Sequence, residues 1–279
     1  LGGNTPLSPP GPPPLSKGLL QGSTDLAGCS LCDSQRMAAL GIEHIAGNPV
    51  TRLEPHQHRL QLADGQWLDF AGLLLATGGR ARRWPVEQAS VLYLRTHDEA
   101  LALRDALRPG TRLVVVGGGF IGLEVAATAR GLGCQVTVLE AGPRLAGRVL
   151  PPVISEALLD LHRQQGVEVR LNVALESIDA DAVQLVDGQR LPCDRVVVGI
   201  GMQPNLELAA AAGLEVGQGI RVDAQLRTSA PNIYAAGDVC EFRLGGLYQR
   251  QETWRNAEAQ GRHAALNMFC LLYTSPSPR

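Results

Sequence analysis

The sequence has 279 residues, enough for two domains, and its 45% apolar and 19% charged residues are typical of a globular protein. Its formal net charge of −2 supplies no basic field for nucleic acid or for an anionic membrane surface. Its apolar runs are much shorter than the roughly 20 residues of a membrane-spanning helix, and no secretory signal pattern opens the chain. We therefore expect a cytoplasmic protein with no nucleic-acid and no membrane partner.

Both ends of the chain are expected to be incomplete. It starts with Leu1 rather than Met, and residues 1–23 are so rich in Pro and Gly that they would fold only against something else. Residues 270–279 break the preceding helical pattern and resemble read-through of a cloning or sequencing adaptor. We assign no function to that tail.

Six scattered cysteines favour free thiols in a reducing compartment. Cys29 and Cys32 have the spacing of a redox pair or of half a metal site, but no second pair and no His-x-x-His accompany them. Zinc needs more ligands than this, so we predict that the two cysteines only pack. His56 and His58 lie in a predicted turn and receive the same interpretation. No metal site is predicted.

A segment of 20 residues occurs twice in the chain. Residues 59–78 and 182–201 align without gaps at an offset of 123 (182 − 59) and share 7 identical positions. Each copy predicts a short strand, an Asp-Gly turn, a second strand and an apolar strand that leads to Gly78 or Gly201. Chance similarity between two ordinary hairpins is the alternative, and the apolar strand at a fixed distance argues against it. The repeat therefore predicts two domains of similar construction.

A helix is predicted after the first copy, in the stretch RTHDEALALRDAL. Thr96 and Glu99 form a capping box at its start, and apolar residues follow at helical spacing. We predict that a linker near 86–95 leads into this helix and into the second domain.

A glycine motif follows a predicted strand at 113–116. Gly117, Gly119 and Gly122 stand between that strand and a helix, which Gly133 is predicted to stop. In a dinucleotide-binding unit the first glycine permits a tight turn, the second lets backbone amides approach a pyrophosphate, and the third lets helix and strand pack closely. The phosphates would then lie at the positive end of the helix.

A second strand, QVTVLE, ends in Glu140, which is 21 residues after Gly119. This spacing places a carboxylate against the adenosine ribose hydroxyls, where it repels a 2′-phosphate. NAD is therefore favoured over NADP. Arg144 and Arg148 lie near enough in sequence to weaken that preference, and Arg148 is included among the candidate cofactor-binding residues.

The last predicted strand, 233–236, ends in Gly237 and Asp238. An Asp at the carboxyl end of a parallel strand points into the ligand crevice of such sheets, although capping of the next turn is an alternative. Shifting Gly117 back by the repeat offset gives position −6. If the first repeat copy belongs to a second nucleotide-binding domain, we expect the glycine loop of that domain to be missing.

The chain resembles the FAD-dependent pyridine nucleotide oxidoreductases from about residue 12 to residue 268. It looks most like the ferredoxin reductase components of bacterial ring-hydroxylating dioxygenases, with rubredoxin and putidaredoxin reductases close behind. Cys29 and Cys32 match neither redox-cysteine position of the disulfide-active branches. The resemblance rests on five stretches: PPPLSKGLL, LLLATGGRARRWP, VVVGGGFIGLEVA, TSAPNIYAAGDV and QETWRNAEAQG.

The resemblance implies an α/β fold of the glutathione-reductase type, with two Rossmann-like dinucleotide-binding domains. The NAD-binding domain would be inserted in the FAD-binding domain. The expected segments are 1–88 (part of the FAD-binding domain), 89–203 (NAD-binding domain), 204–249 (return to the FAD-binding domain), 250–269 (its end and the start of a truncated C-terminal domain) and 270–279 (non-native tail).

The resemblance also implies roles for individual residues. Asp238 would bond a ribityl hydroxyl of the flavin, and Thr77 and Gly78 would lie along the flavin nucleotide. Glu252 and Trp254 would lie where nicotinamide stacks, although for Trp254 alone core burial is the better interpretation. Arg82 and Gly201 complete the candidate cofactor-binding residues, together with Gly117, Gly119, Gly122, Glu140 and Arg148.

Lys17 would stand near the reactive edge of the isoalloxazine ring, where a cation stabilises developing charge. Glu124 would neighbour Lys17 or the nicotinamide, and a helix starting near Asn256 would point its positive end at the flavin. Lys17, Glu124 and Trp254 are the candidate catalytic residues. Solvation of Lys17 and a plain surface charge at Glu124 are the alternatives.

The resemblance implies an NADH-dependent reductase that passes electrons through FAD to a [2Fe-2S] ferredoxin, in the electron-transfer chain of an oxygenase. Rubredoxin, a quinone or a nitrite reductase are alternative acceptors. The sequence lacks the FAD glycine loop, the acid for the adenosine ribose of FAD, and most of the C-terminal domain of this family. An NAD-binding module without activity is therefore the alternative of a different class.

Overall fold

The computed structural model describes residues 15–24, 32–86 and 88–269. The Pro-rich opening up to residue 14, Cys29 and the tail 270–279 lie outside these described residues. The described chain forms two compact units, an outer unit made of 32–80 and 203–269, and an inserted unit made of 15–24, 81–86 and 88–202.

The described residues form helices and strands that alternate along the chain. The helices are α1 (Gly18–Gln21), α2 (Ser34–Ala39), α3 (His97–Ala106), α4 (Phe120–Gly131), α5 (Pro152–Gln164), α6 (Glu207–Ala211) and α7 (Trp254–Met268). The strands are β1 (Val50–Glu54), β2 (Arg59–Leu62), β3 (Trp67–Asp69), β4 (Leu73–Leu75), β5 (Gly79–Ala81), β6 (Val91–Leu92), β7 (Arg112–Val116), β8 (Gln135–Glu140), β9 (Glu168–Leu171), β10 (Leu175–Ile178), β11 (Ala182–Leu185), β12 (Arg190–Pro192), β13 (Arg195–Val198), β14 (Met202–Pro204), β15 (Ile220–Val222), β16 (Ile233–Ala235), β17 (Cys240–Leu244) and β18 (Leu247–Gln249).

The inserted unit is built on a parallel five-stranded sheet with the order β6-β13-β7-β8-β9. β7 and β13 each carry a continuous apolar run after their first residue, which is typical of a parallel sheet with both faces covered. Val115 belongs to one core cluster, and its neighbours Val114 and Val116 belong to another. α4 packs on β7 and β8, so the first turn of this helix lies at the carboxyl end of β7.

The outer unit contains a parallel pair, β4 and β16, in which Leu75 lies opposite Ala235. Two three-stranded sheets, β1-β2-β3 and β15-β17-β18, belong to the same unit. Its core cluster includes Leu62, Ile233 and Ala264, and the last of these lies on α7, which packs on β16. Because β4 and β16 run in the same direction, their carboxyl ends lie at the same edge.

The internal repeat is confirmed at the level of strands and turns. Shifted by 123 residues, β2 and β3 coincide with β11 and β12 at both ends. The turn glycines have similar positive φ angles, 91° at Gly65 and 87° at Gly188. The Asp before each glycine accepts a backbone hydrogen bond of 2.9 Å from the residue two positions further on. The apolar strands that follow, β4 and β13, both enter parallel pairings.

The predicted helix ends of the inserted unit are also confirmed. The Thr96 hydroxyl accepts a bond of 3.2 Å from the Glu99 amide, and the Glu99 carboxylate accepts one of 3.0 Å from the Thr96 amide. α4 ends two residues before Gly133, whose φ is 85°.

Two boundaries differ from the expectation. Residues 91–92, inside the predicted linker, form β6 and pair with β13. A run of two apolar residues is too short to show the period of a strand, so the pattern alone does not distinguish it from a linker. α7 starts at Trp254, two residues before the predicted start, because Thr253 serves as its N-cap. Among the described residues, no helix combines the length and the apolar character needed to cross a membrane.

Candidate dinucleotide-binding sites

The glycine loop between β7 and α4 has the geometry that its motif predicts. Gly117 has a φ of 106°, and a Cβ on it would overlap the carbonyl group of Gly199. A Cβ on Gly122 would overlap the carbonyl group of Gly117 and lie 3.2 Å from a methyl carbon of Val115. The first glycine therefore allows the turn, and the third allows α4 to pack on the strand that precedes it.

Gly119 serves a different purpose from these two glycines. It is the N-cap of α4, its φ of −81° is open to any residue, and a Cβ on it would have no atom within 4 Å. Its missing side chain therefore leaves space at the start of a 12-residue helix. Unpaired backbone amides and the helix dipole favour an anion there. A pyrophosphate fits this cradle in charge and in location.

Glu140 is fixed to the glycine loop through both carboxylate oxygens. Oε2 accepts a bond of 2.7 Å from the Gly118 amide, and Oε1 accepts one of 2.7 Å from the Gly142 amide. The guanidinium of Arg144 donates to the carbonyls of residues 147 and 150, at 3.3 and 3.2 Å. Arg144 is therefore engaged with its own loop, whereas Arg148 is exposed. The structure thus places the Glu140 carboxylate at the position where the sequence predicted it, and its role toward a 2′-phosphate stays a prediction.

Lys17 and Glu124 form an ion pair within the inserted unit. The Lys17 Nζ lies 3.1 Å from the Glu124 Oε1. Ser16, which the sequence reasoning did not single out, donates its hydroxyl to the other oxygen of Glu124 at 2.5 Å. Two of the candidate catalytic residues are therefore paired, although 55% of the Lys17 side chain and 31% of the Glu124 side chain are exposed. Two other candidate cofactor-binding residues of this unit are connected by a backbone hydrogen bond. The Arg82 amide donates to the Gly201 carbonyl at 3.0 Å.

In the outer unit, Thr77 and Gly78 follow β4 and are joined to a residue far along the chain. The Thr77 hydroxyl donates to the Asn205 carbonyl at 2.9 Å, and the Asn205 side chain donates back to the Thr77 carbonyl at 2.8 Å. The Asn205 amide donates to the Gly78 carbonyl at 3.0 Å. Arg80 also donates to the Asn205 side chain, at 2.7 Å. Sequence reasoning missed Asn205, and only its position soon after Gly201 signals it.

Gly237 and Asp238 follow β16 and are held by two further residues that sequence reasoning missed. The Gly237 amide donates to the buried Gln260 side chain at 2.8 Å. Arg250 donates to the Asp238 carbonyl at 3.2 Å and to the Glu252 carboxylate at 2.7 Å. Arg250 therefore connects two of the predicted site residues. Because β4 and β16 are parallel, these contacts lie at the same edge of the outer unit as Thr77.

Trp254 is the first residue of α7 and is 45% exposed. The preceding Thr253 accepts a hydrogen bond of 3.2 Å from the amide of Asn256 and so fixes the helix start. This exposure counts against the core-burial interpretation of Trp254. A large aromatic side chain at a helix N-terminus provides an accessible apolar face.

The buried thiols have pKa values that keep them protonated at neutral pH. Burial raises the pKa of Cys193 to about 11 and that of Cys240 to about 12, and it also raises the pKa of Cys134. Cys32 is half-buried, and its predicted companion Cys29 lies outside the described residues. In the part of the chain that the structure describes, no three His, Cys, Asp or Glu side chains converge as metal ligands.

Parallel strand pairing in both units and a glycine loop at the start of α4 are features of dinucleotide-binding folds. The family model for pyridine nucleotide-disulphide oxidoreductases matches residues 4–261. The chain therefore belongs to the pyridine nucleotide-disulphide oxidoreductase family, and the resemblance drawn from its motifs is confirmed. The cofactors of this family are FAD and NAD(H).

Curated relatives agree with this assignment. The chain is 39% identical over 280 residues to putidaredoxin reductase of Pseudomonas putida, covering 95% of the chain and 66% of that protein. It is 44% identical over 246 residues to the ferredoxin--NAD(+) reductase component of the anthranilate 1,2-dioxygenase system of Burkholderia cepacia, covering 85% of the chain and 59% of that protein. The chain thus spans less than two thirds of the length of these relatives.

A solved structure supports the fold. The crystal structure of a covalent putidaredoxin reductase–putidaredoxin complex superposes with a TM-score of 0.92 at 37% identity, covering 99% of this chain and 69% of that chain. The predicted fold class, with α/β architecture and Rossmann-type domains, is confirmed. The roles of the individual site residues and the domain boundaries remain predictions.

Proposed function

We propose that this protein is an NADH-dependent flavoprotein reductase that passes electrons through FAD to a [2Fe-2S] ferredoxin. The observation that carries the proposal is the glycine cradle with Glu140 bonded to its rim. Relatives with 39% and 44% identity are named as reductases of ferredoxin-type proteins, which supports the acceptor. We also infer a cytoplasmic location.

NADH is proposed to bind the inserted unit, with its pyrophosphate at the start of α4. Gly119 leaves the space, the α4 amides supply donors, and Glu140 accepts from the ribose hydroxyls. Arg144 is bonded to its own loop, which supports NAD over NADP. Arg148, Arg82 and Gly201 are proposed to line the same nucleotide.

FAD is proposed to bind the outer unit at the carboxyl ends of β4 and β16. Thr77 and Gly78 would lie along the nucleotide, and Asp238 would accept from a ribityl hydroxyl. Glu252 and Trp254 would flank the stacked rings, because Trp254 offers an exposed aromatic face at the start of α7. When bound, FAD supplies the chemistry, namely acceptance of a hydride equivalent and release of single electrons.

The side chains of this protein are proposed to bind, orient and tune rather than to react. Lys17 keeps a positive charge where negative charge develops during reduction. Glu124 fixes the Lys17 ammonium, and no side chain needs to act as a nucleophile.

The proposal is tested by the visible absorption spectrum of the full chain after incubation with FAD and desalting, before and after anaerobic NADH. We expect a retained flavin band that bleaches with NADH and bleaches far less with NADPH. The Gly119→Ala variant is the matched control, since it should retain flavin but lose the NADH response. A chain that enhances NADH fluorescence but retains no flavin would be an NAD-binding module and would refute the reductase proposal.

The acceptor is tested separately with the flavin-loaded chain. A [2Fe-2S] ferredoxin, a rubredoxin and a quinone are compared as oxidants at equal concentration under NADH turnover. We expect the ferredoxin to be reduced fastest. Faster reduction of rubredoxin or quinone would contradict the proposed acceptor while leaving the NADH and flavin steps intact.

A further inference from the structure

Lys17 is the single lysine among the 25 Lys and Arg residues of the sequence. The others are all arginines, including those in the surface ion pairs, and each carries a guanidinium group. A guanidinium is a planar fork that can engage both oxygens of a carboxylate, whereas an ammonium is a compact charge. At Glu124 the ammonium of Lys17 engages one oxygen, Oε1, and the other oxygen accepts a different donor.

That other donor is the hydroxyl of Ser16, the residue next to Lys17 in the chain. Two adjacent residues therefore hold the two oxygens of one carboxylate, with Ser16 Oγ 2.5 Å from Oε2 and Lys17 Nζ 3.1 Å from Oε1. The Lys17 and Glu124 side chains are 55% and 31% exposed. An ion pair exposed to this extent gains little by itself, and its geometry is easily lost to solvent.

Thr128 extends this arrangement by one turn of α4. Its hydroxyl donates to the carbonyl of Ser16 at 2.9 Å. Ser16 and Thr128 are each only 5% exposed, and the Thr128–Ser16 bond is buried, whereas the Ser16–Glu124 bond is partly buried. The two bonds form a chain in which Thr128 holds Ser16 and Ser16 holds Glu124.

The segment that carries Ser16 has a separate apolar anchor. Leu19 and Leu20 of α1 are each 1% exposed and belong to the core cluster of the inserted unit. Their burial holds the segment against α3, with which α1 packs. The segment therefore has an apolar anchor besides the two hydroxyls. The Ser16 hydroxyl contacts the carboxylate directly, and the Thr128 hydroxyl contacts the backbone of Ser16.

We propose that Ser16 and Thr128 are positioning residues that orient the Glu124 carboxylate toward Lys17. The role of the Lys17–Glu124 pair in catalysis rests on the proposed function. The pair itself and the hydrogen bonds that hold it lie within the inserted unit and do not depend on that function. Loss of either hydroxyl frees the carboxylate to rotate and loosens its hold on the ammonium.

The single lysine makes this proposal testable without any cofactor. The full chain is treated with a limiting amount of an amine-acetylating succinimidyl ester, and acetylation of Lys17 is quantified by peptide mass spectrometry relative to the α-amine of Leu1. Thr128→Val removes the hydroxyl at nearly constant shape, and Thr128→Ser keeps it. Ser16→Ala removes the hydroxyl that touches Glu124. Ser23→Ala removes a hydroxyl of the same segment that, among the described residues, bonds the Gly18 carbonyl.

We expect Thr128→Val and Ser16→Ala to acetylate about two- to fivefold faster, which is the range for weakening an exposed ion pair. Thr128→Ser and Ser23→Ala are expected to match the unchanged chain. Equal rates in all five proteins would overturn the proposal. So would a rate that rises equally in Thr128→Val and Thr128→Ser.

Hydrogen exchange of the Gln21 amide, which bonds the Lys17 carbonyl at 2.9 Å, separates orientation from mere attachment. We expect its protection to be unchanged in Thr128→Val and Ser16→Ala. Loss of protection together with faster acetylation would assign the hydroxyls a structural role only and refute the positioning role. If both readouts behave as expected but NADH bleaches flavin equally fast in Thr128→Val, the positioning stands and the proposed role of Lys17 fails.

Discussion

In each unit a glycine with a positive φ follows a parallel strand, but the two units differ in where the helix beside that glycine lies in the sequence. In the inserted unit, Gly117 follows β7 and leads directly into α4. In the outer unit, Gly237 follows β16 with a φ of 82°, but the helix that completes its surroundings, α7, starts only at Trp254. Gln260 of that helix reaches back 23 residues to the Gly237 amide. One site is therefore a continuous motif, and the other is assembled from segments that are distant in sequence.

This difference has a physical consequence for how each site tolerates change. In a continuous motif the strand, turn and helix pack directly against one another. Such a site depends on clearance, that is, on the space between backbone segments that an added Cβ would fill. An assembled site depends on side-chain hydrogen bonds that reach across from other segments, and a buried group that loses such a partner is costly to leave unpaired. Substitutions that remove clearance should damage the first site most, and substitutions that remove a bond should damage the second.

The largest effect is expected from Gly122→Ala in the inserted unit. The new Cβ would overlap the Gly117 carbonyl, and relief of such overpacking costs about 1–3 kcal/mol or more. We expect a lower melting temperature together with loss of NADH binding, measured by circular dichroism and by NADH fluorescence. Gly119→Ala is the matched variant, since its Cβ meets no atom, and it should melt normally while losing NADH binding. Normal NADH binding by Gly122→Ala would show that clearance does not govern this site.

The next largest effect is expected from Gln260→Met in the outer unit. The Gly237 amide would lose the acceptor that the Gln260 side chain provides, at a cost of about 1–3 kcal/mol. We expect the affinity for flavin to fall about fivefold or more, which is the change that about 1 kcal/mol produces, while NADH binding is unchanged. Glu258→Gln, on an exposed position of the same helix, is the control. Equal flavin retention by Gln260→Met and the control would break the proposed distinction between the units.

A smaller effect is expected from Glu140→Gln. An amide has one acceptor oxygen, so the amides of Gly118 and Gly142 can no longer both be satisfied, and the charge that opposes a 2′-phosphate is lost. We expect the preference for NADH over NADPH to fall by about tenfold, equivalent to ~1.4 kcal/mol. The ratio of the two binding constants measures this. An unchanged ratio would mean that Glu140 stabilises the loop but does not discriminate between NADH and NADPH.

The smallest effects are expected at one surface ion pair in each unit. Hydrogen bonds from Arg112 lower the pKa of Asp194 in the inserted unit, and a hydrogen bond from Arg80 lowers the pKa of Glu207 in the outer unit. A carboxylate with a lowered pKa stabilises the fold above its unfolded value of about 4 and stops doing so as the pH falls through the folded value. We expect Asp194→Asn and Glu207→Gln to lower the melting temperature by about 3 °C or less at pH 7.

The difference in melting temperature between each variant and the unchanged chain should shrink as the pH falls through the pKa of the folded state, where the carboxylate becomes protonated. Melting curves over a series of decreasing pH values test this directly. A difference that persists in acid would assign the loss to packing rather than to charge.

The inserted unit could be read from the sequence because its signals are local. Gly117, Gly119, Gly122 and Glu140 lie within one strand-helix-strand stretch, and the caps of α3 and α4 are short-range patterns. The repeat likewise depends on turns whose hydrogen bonds span a few residues.

The contacts that hold the outer unit could not be read in the same way. Thr77 and Asn205 are 128 residues apart, and Ser16 and Glu124 in the inserted unit are 108 residues apart. A side chain such as Gln260 on α7 gives no sequence signal that distinguishes it from any other polar residue on a helix. Such residues become visible only when the fold brings their partners to them.

We expect the insertion to influence the order in which the two units fold. The parallel pairing of Leu75 with Ala235 closes a loop of about 160 residues, and an unstructured loop of that length is slow to close because its entropy must be lost first. The inserted unit lies inside that loop and has its own core and sheet. The inserted unit can therefore form its core without β4 and β16, and its folding would lower the entropic cost of closing the loop between them.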